Sequence, residues 1–433
     1  MKVGFISLGC SKNLVVTEEI IGLFKKHGYE IVNKEEEADI LLINTCGFID
    51  SAKKEGIDTI LEMAEYKKNK CKYLIVTGCL VERYKEELQK ELPEVDLFIS
   101  IKDYDKLWES IEKLINNKHN VDKLDFHNRV ITTGDTYAYV KIAEGCSNFC
   151  TFCAIPYIQG KYVSREYDDI LKEVEELTKK GISEIVIIAQ DSTKYGFDLY
   201  GKPRLAELLD DISKIEGVKW IRFLYSYPET ITDELIEVVK NNDKICKYFD
   251  LPIQHINDNI LKRMNRKSNG ESIRKLIKKL RKEIPNVILR TTLIVGFPGE
   301  TDEQYEELVD FIKEVKFDRL GAFSYSKEEG TAASLFPNQV SNSIKEKRRK
   351  KIMEIQQVLS LYKLKDNINK KYTCIVESIT DDGDYFIGRT MMDVPSEDGV
   401  VYIEYDPSIE INDYINVLIT DSTEYDLLGI KTN

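Results

Sequence analysis

The sequence predicts an α/β protein in three sections: an amino-terminal parallel α/β sheet domain, a partial (β/α)6 barrel and a small carboxy-terminal antiparallel β-barrel. Three observations predict it. Short apolar runs alternate with amphipathic stretches up to residue 326, one basic helical stretch follows, and beyond it the helical period stops. Strands alternating with helices form parallel sheets covered by helices. A chain of 433 residues has room for roughly two to four domains at about 100–200 residues each.

The first section, residues 1–118, carries the apolar runs "VGFISL", "DILLIN", "KYLIVT" and "VDLFIS". "TEEIIGLFKKHG" and "AKKEGIDTILEMAEYKK" lie between them with helical periodicity. Residues 119–135 are polar and irregular, as in a linker. The second section spans 132–364. Its strand candidates are "YAYVKIA", "EIVIIAQ", "KWIRFLYS", "KYFDLPIQ", "VILRTTLIVGF" and "FDRLGAFSYS", separated by helices such as "DDILKEVEELTKKG". Barrels of this kind carry function on the loops after the strands. Residues 341–366 read as one basic helix with the apolar set Ile352, Ile355, Val358, Leu359 and Tyr362, which predicts one side packed on the barrel. The third section, 366–433, has short alternating runs broken by Asp, Gly and Pro, which suggests about five strands in a small barrel.

Composition narrows the function. The opening "MKVGFISLGC" lacks the apolar run of a secretory leader, and no apolar stretch reaches the ~18 residues of a membrane span. A cytoplasmic protein is expected, with reduced thiols. Nine cysteines there point to metal ligands or buried fillers rather than disulfides. The net charge of −13 argues against nonspecific nucleic-acid coating.

Cys10, Cys46 and Cys79 each end a predicted strand, in "FISLGC", "LLINTC" and "LIVTGC". Strand C-termini of an open α/β sheet gather at one edge, so the three thiols should meet in one crevice. Cys71, Cys246 and Cys374 lack such a pattern and read as structural. A second set, Cys146, Cys150 and Cys153, lies in "GCSNFCTFCAIP" with C-x3-C-x2-C spacing on a barrel-top loop. Soft thiolates select zinc, copper(I) or iron–sulfur clusters. Structural zinc wants a fourth Cys or His nearby, and only His127 stands within 20 residues. A cubane held by three thiolates leaves one iron open to an outside ligand.

C-x3-C-x2-C opening a six-unit β/α barrel resembles the radical S-adenosylmethionine enzymes. "SLGCSKN", "NTCGFIDSAKKE" and "VTGCL" resemble the amino-terminal domain of the methylthiotransferases among them, and the closing barrel resembles their TRAM domain. "PEVDLFIS", "QDSTKYG", "DLPIQH" and "GAFSYSKEEGTAA" are most similar to the branch that modifies the β-carbon of an aspartate on small-subunit ribosomal protein twelve. Ser11, Val16 and Gln159 depart from the proline, aspartate and arginine usual there. The resemblance implies that Cys146, Cys150 and Cys153 hold a 4Fe–4S cluster whose open iron binds S-adenosylmethionine. Reduction then yields a 5′-deoxyadenosyl radical that takes hydrogen from an unactivated carbon. It implies a second 4Fe–4S cluster on Cys10, Cys46 and Cys79 that carries the sulfur to be methylated and delivered. Weaker expectations place Gln190 and Asp191 at the methionine end of the cofactor, Gly296 and Gly299 against its adenosine, and Arg165 on a carboxylate. His255 is expected to be a packed histidine. An electron donor such as flavodoxin or ferredoxin is implied; the sulfur source is left open. The competing readings are a tRNA methylthiotransferase acting on a modified adenosine and a metal-stabilised RNA-binding adaptor. Charge weighs against RNA. Residues 367–433 hold four Lys or Arg against fourteen Asp or Glu, a balance that repels phosphates and attracts a basic ribosomal protein.

Overall fold

The structure is a computed structural model that describes residues 1–116 and 121–432. Residues 117–120 and 433 lie outside the described residues, and with them the expected end of the first section at 118, the start of the linker at 119–120 and the last position of the third section.

The first section is a five-stranded, wholly parallel sheet in the order β2-β1-β3-β4-β5. Its strands are β1 (Lys2–Ser7), β2 (Glu30–Ile31), β3 (Ile40–Thr45), β4 (Tyr73–Gly78) and β5 (Leu97–Ile99); its helices are α1 (Ser11–Lys26), α2 (Asp50–Ala64), α3 (Cys79–Glu91) and α4 (Leu107–Asn116). Every residue of β3 is buried, as expected for a strand covered on both faces. Alternation divides it: Leu41 and Ile43 join one apolar core, Ile40 and Leu42 join another with Phe24 and Trp108.

The second section sets six parallel strands in chain order, hydrogen-bonded in two halves. They are β6 (Tyr137–Lys141), β9 (Glu184–Ile188) and β10 (Trp220–Phe223), then β11 (Tyr248–Gln254), β12 (Ile288–Val295) and β13 (Arg319–Ser324). A bridge between Ile221 and Ile245 joins the halves. The pair β7 (Ala143–Glu144) and β8 (Val163–Ser164) brackets the loop of Cys146, Cys150 and Cys153. The helices are α5 (Ile155–Ile158), α6 (Tyr167–Lys179), α7 (Phe197–Tyr200), α8 (Leu205–Lys214), α9 (Asp233–Asn241), α10 (Asp258–Arg263), α11 (Gly270–Glu283) and α12 (Asp302–Val315). Ala138, Val140, Ile185 and Ile187 face the helices, while Tyr137, Tyr139, Val186 and Ile188 face inward. The inward cluster includes Val15 of α1 and Ile375 and Val394 of the third section. Both neighbours therefore fill the hollow of the partial barrel.

The basic stretch forms α13 (Asn342–Lys365) against β13. Its buried stripe is Lys345, Arg348, Ile352, Gln356, Ser360 and Leu364. Ile355 and Leu359 pack beside the core, but Val358 and Tyr362 are 53% and 65% exposed, contrary to expectation. The stripe is largely polar because barrel groups receive it: Lys345 Nζ donates to Tyr325 O, Arg348 to Glu300, and Gln356 to Phe317 O. The third section is a closed five-stranded barrel of β14 (Lys371–Ile379), β15 (Tyr385–Arg389), β16 (Val401–Glu404), β17 (Tyr414–Ser422) and β18 (Leu427–Thr432). Four of its seams are antiparallel and the β16·β18 seam is parallel. No described helix is long and apolar enough to cross a membrane.

Two ionic knots tie the sections. The segment read as a linker is docked: Arg129 is buried between Glu18 of α1 at 3.4 Å and Glu173 of α6 at 3.1 Å, and Lys141 stands 4.0 Å from Glu19. Thr132 donates from its amide and its hydroxyl to Glu18. Burial pushes the Glu19 carboxyl up to about 7. In the second knot, the fully buried Glu184 of β9 accepts from Arg222 at 3.1 Å and from Arg389 of β15 at 2.6 Å. Burial opposes its charge, yet Arg389 and Arg222 hold it below the usual carboxylate range. Glu184→Ala leaves the buried Arg222 guanidinium without a carboxylate and Arg389 with Glu377 alone, and should cost about 3–5 kcal/mol. Urea unfolding of wild type and variant measures this, and an unchanged midpoint would contradict the assignment.

Candidate active site

Cys10 follows β1, Cys46 follows β3, and Cys79 follows β4 as the first residue of α3. These strands are adjacent in the sheet, so parallel pairing delivers all three thiols to one edge. Close backbone approach compresses the cluster. A Cβ on Gly9, at φ +89°, would lie 2.6 Å from the Cys46 Cβ, and one on Gly47 would lie 2.7 Å from the Leu80 amide. Asn13 braces the crevice by donating to Leu8 O and Thr45 O. Cys10 caps α1 and Cys79 opens α3, where helix dipoles favour negative charge. Burial, with the neighbouring Cys10 and Cys46, pushes the Cys79 thiol up to about 12, and burial also raises Cys46.

The second triad lies between β7 and β8 at the C-terminal end of β6. Cys146 and Cys150 are buried and Cys153 is partly so. Burial pushes Cys146 up to about 11 and raises Cys153 further. The Tyr227 hydroxyl lies 2.9 Å from Cys150 Sγ. Arg266 reaches that sulfur at 4.0 Å and stacks over the Tyr227 ring at 4.0 Å. Asn148 donates to Asp191 at 2.9 Å, and Asn265 donates to Phe149 O at 2.9 Å, which holds the turn where Phe149 adopts φ 50°. Sequence reasoning missed Tyr227 and Arg266. Their signal was position, since Tyr227 follows β10 and Arg266 lies on the loops after β11, where such barrels place function.

The barrel loop touches the amino-terminal triad, with Cys79 packed against Ala154 and Ile158. Gln190 Nε2 donates to Gln159 Oε1 at 2.9 Å, and Gln159 Nε2 reaches Cys79 Sγ at 3.9 Å. Gln159, the position that departs from the family's arginine, thus spans from the barrel loop to the amino-terminal triad. A clamp lies nearby: Glu328, 1% exposed, accepts from Lys53 at 3.0 Å and from Arg83 at 3.1 Å, while Arg83 also donates to Gly47 O beside Cys46.

The other expected residues make contacts within the chain. Arg165 donates to Lys141 O, Asp169 and Glu173 and stacks 3.6 Å over Phe126, so its guanidinium is engaged within the chain. Gly296 and Gly299 have φ +69° and +77°, but Lys345 and Arg263 occupy the space over them, where a Cβ would meet those side chains at 2.3 and 2.1 Å. The chain's own side chains already require glycine at both positions. His255 is fully buried and 3.6 Å from Glu300, a packed histidine. All nine cysteines are free; Cys71, Cys246 and Cys374 sit in three apolar cores. Among the described residues no three His, Cys, Asp or Glu side chains are grouped to hold a single metal ion. A cubane asks for something else, with each thiolate on a separate iron.

Comparison with known proteins places the fold in one lineage. The radical SAM superfamily profile matches residues 140–312, that of the uncharacterized protein family UPF0004 matches 2–100, and that of the TRAM domain matches 368–430. A solved radical S-adenosylmethionine methyltransferase, TsrM from Kitasatospora setae, with cobalamin and a 4Fe–4S cluster bound, shares the fold. Its TM-score is 0.57 at 12% identity, covering 75% of this chain and 72% of that one. The ribosomal protein uS12 methylthiotransferase RimO of Alkaliphilus oremlandii is 58% identical over 431 residues, 99% of this chain and 98% of its own. The RimO of Clostridium botulinum (strain Okra) is 53% identical over 441 residues, 100% and 98% of the two chains. With its parallel sheet, partial barrel and closed terminal barrel in the same order, the chain belongs to the RimO family of radical S-adenosylmethionine methylthiotransferases.

Proposed function

We propose that the enzyme adds a methylthio group to the β-carbon of an aspartate on ribosomal protein uS12, using two 4Fe–4S clusters held by its two cysteine triads. The observation that carries this reading is the pairing of the triads. Each lies at the C-terminal edge of a parallel sheet, and Gln159, beside the Gly160 carbonyl that accepts from the Cys146 amide, reaches Cys79. The donors fit the groups: three free, soft thiols per site, gathered where helix termini or a guanidinium offset their charge.

Cys146, Cys150 and Cys153 would hold the cluster that binds S-adenosylmethionine. When bound, that pair supplies one-electron cleavage and hydrogen abstraction from an unactivated carbon. Tyr227 and Arg266 steady the charge on Cys150, and the Asn148–Asp191 bond fixes the loop. Gln190 and Asp191, which follow β9, would meet the methionine end of the cofactor. Cys10, Cys46 and Cys79 would hold the second cluster and the sulfur to be delivered. A cytoplasmic one-electron donor of the flavodoxin or ferredoxin kind completes the set.

Charge supports a basic protein substrate. The terminal barrel exposes Asp381, Asp382, Asp384, Glu404, Glu410 and Asp421, a field that draws in a cationic partner and repels phosphates. The basic helix does not reverse this, because Arg349, Lys350 and Lys351 pair with Glu346, Glu354 and Glu306.

Three measurements test the reading. Replacing Cys146, Cys150 and Cys153 by alanine should leave about half the iron of anaerobically reconstituted protein, one cluster of two; complete loss refutes separate clusters. Replacing Cys10, Cys46 and Cys79 should abolish methylthiolation yet preserve reductive cleavage of S-adenosylmethionine to 5′-deoxyadenosine. Lost cleavage with the barrel cluster intact would contradict the division of labour. Offered uS12 and bulk tRNA together, with reductant and excess S-adenosylmethionine, the enzyme should add one methylthio mass to the protein. Methylthio-adenosine with uS12 unmodified would favour the tRNA reading instead.

A further inference from the structure

We propose that the Lys12 ammonium, held between the two thiol triads, receives the carboxylate of the substrate aspartate and makes the site select that side chain. This rests on the reading above that an aspartate of a protein is the substrate.

Lys12 lies in the first turn of α1, two residues after Cys10, and is 6% exposed. Among the described residues it makes no ion pair with a carboxylate; its Nζ lies 3.3 Å from the centroid of the Tyr225 ring. Nearby acids are engaged elsewhere. Glu397 pairs with Arg290, and Asp250 accepts from the Tyr225 amide at 2.9 Å. Within the chain its charge is met by Tyr225 and Cys10 and, less strongly, Glu397, and a buried cation lacking a direct carboxylate partner is costly unless something completes it. The first turn of α1 adds no acidic residue, so its free amides also favour an incoming anion.

Its neighbours place it on the reaction path. Tyr225 follows β10 on the functional face of the barrel, and its carbonyl accepts from the Ser192 amide at 3.0 Å. Ser192 adjoins Asp191, which accepts from Asn148 in the loop of Cys146 and Cys150. The contacts therefore run from Asn148, in the loop of Cys146 and Cys150, through Asp191, Ser192 and Tyr225 to Lys12, and from there along the chain to Cys10. Tyr225 holds φ 61°, a conformation that a bulky residue rarely adopts without tertiary constraint. An aspartate carboxylate seated on Lys12 has its β-carbon one bond away. An adenosine offers no anionic group at that distance from its reacting carbon, so the same cation discriminates between the two substrate classes.

The test uses reconstituted full-length enzyme. Fluorescently labelled uS12 peptides carrying the modified aspartate, or asparagine in its place, are titrated onto wild type, Lys12→Met and Lys12→Arg, with iron measured in each. Wild type should prefer the aspartate peptide. Lys12→Met should keep its iron, bind that peptide about tenfold or more weakly, as loss of a charged hydrogen bond requires, and show no preference over asparagine. Lys12→Arg should retain the preference. A preference that survives Lys12→Met, its absence in wild type, or iron lost from Lys12→Met would each overturn the inference. Modified tRNA with untouched uS12 in the earlier competition overturns the substrate reading itself. Modified uS12 with a surviving preference overturns the role of Lys12 alone.

Discussion

Parallel hydrogen bonding makes every strand of a sheet end at the same edge, and the chemistry of this molecule depends on that constraint. Cys10, Cys46 and Cys79 are far apart in the chain, yet β1, β3 and β4 are neighbours. The loop of Cys146, Cys150 and Cys153 follows β6, and Gln190, Tyr225 and Tyr227 follow β9 and β10. Turning one strand over would send its terminal residue to the far side of the sheet.

Six strands do not close a barrel, and the open hollow is an apolar and ionic debt that one section alone cannot settle. Val15 of α1 enters it from the first section, and Ile375 and Val394 enter from the third. Glu184 then joins Arg222 of the partial barrel to Arg389 of the terminal one. The two cysteine-bearing edges are thus held in register by buried contacts on the inner surface and by the clamp of the buried Glu328 on Lys53 and Arg83.

What was legible in the sequence was whatever depends on local periodicity. All six barrel strands and the basic helix lie where the apolar patterns put them, and the strand-end cysteines could be counted before any coordinates. What was not legible depends on packing between distant segments. Residues 121–135 look like a linker by composition, but Arg129 is buried against two carboxylates from separate sections. Val358 and Tyr362 fit an apolar face by spacing, but the barrel receives the stripe of Lys345, Arg348 and Gln356 instead. Gly296 and Gly299 resemble a ligand-approach turn, and only the positions of Lys345 and Arg263 reveal what fills the space. The roles of Tyr227 and Arg266 and the contact of Lys12 with Tyr225 of a second domain follow from loop placement, which no short window encodes.

The docking of residues 129–141 bears on how the chain is made. Glu18 and Glu19 belong to the first helix, but their cationic partners Arg129 and Lys141 come more than a hundred positions later. At roughly 5–20 residues per second, a nascent amino-terminal sheet waits several seconds with two acids on a surface that will later be buried. During that interval the acids stay hydrated and keep the unfinished face soluble. The arrival of the second section pairs them with Arg129 and Lys141 and converts the same face into an interface.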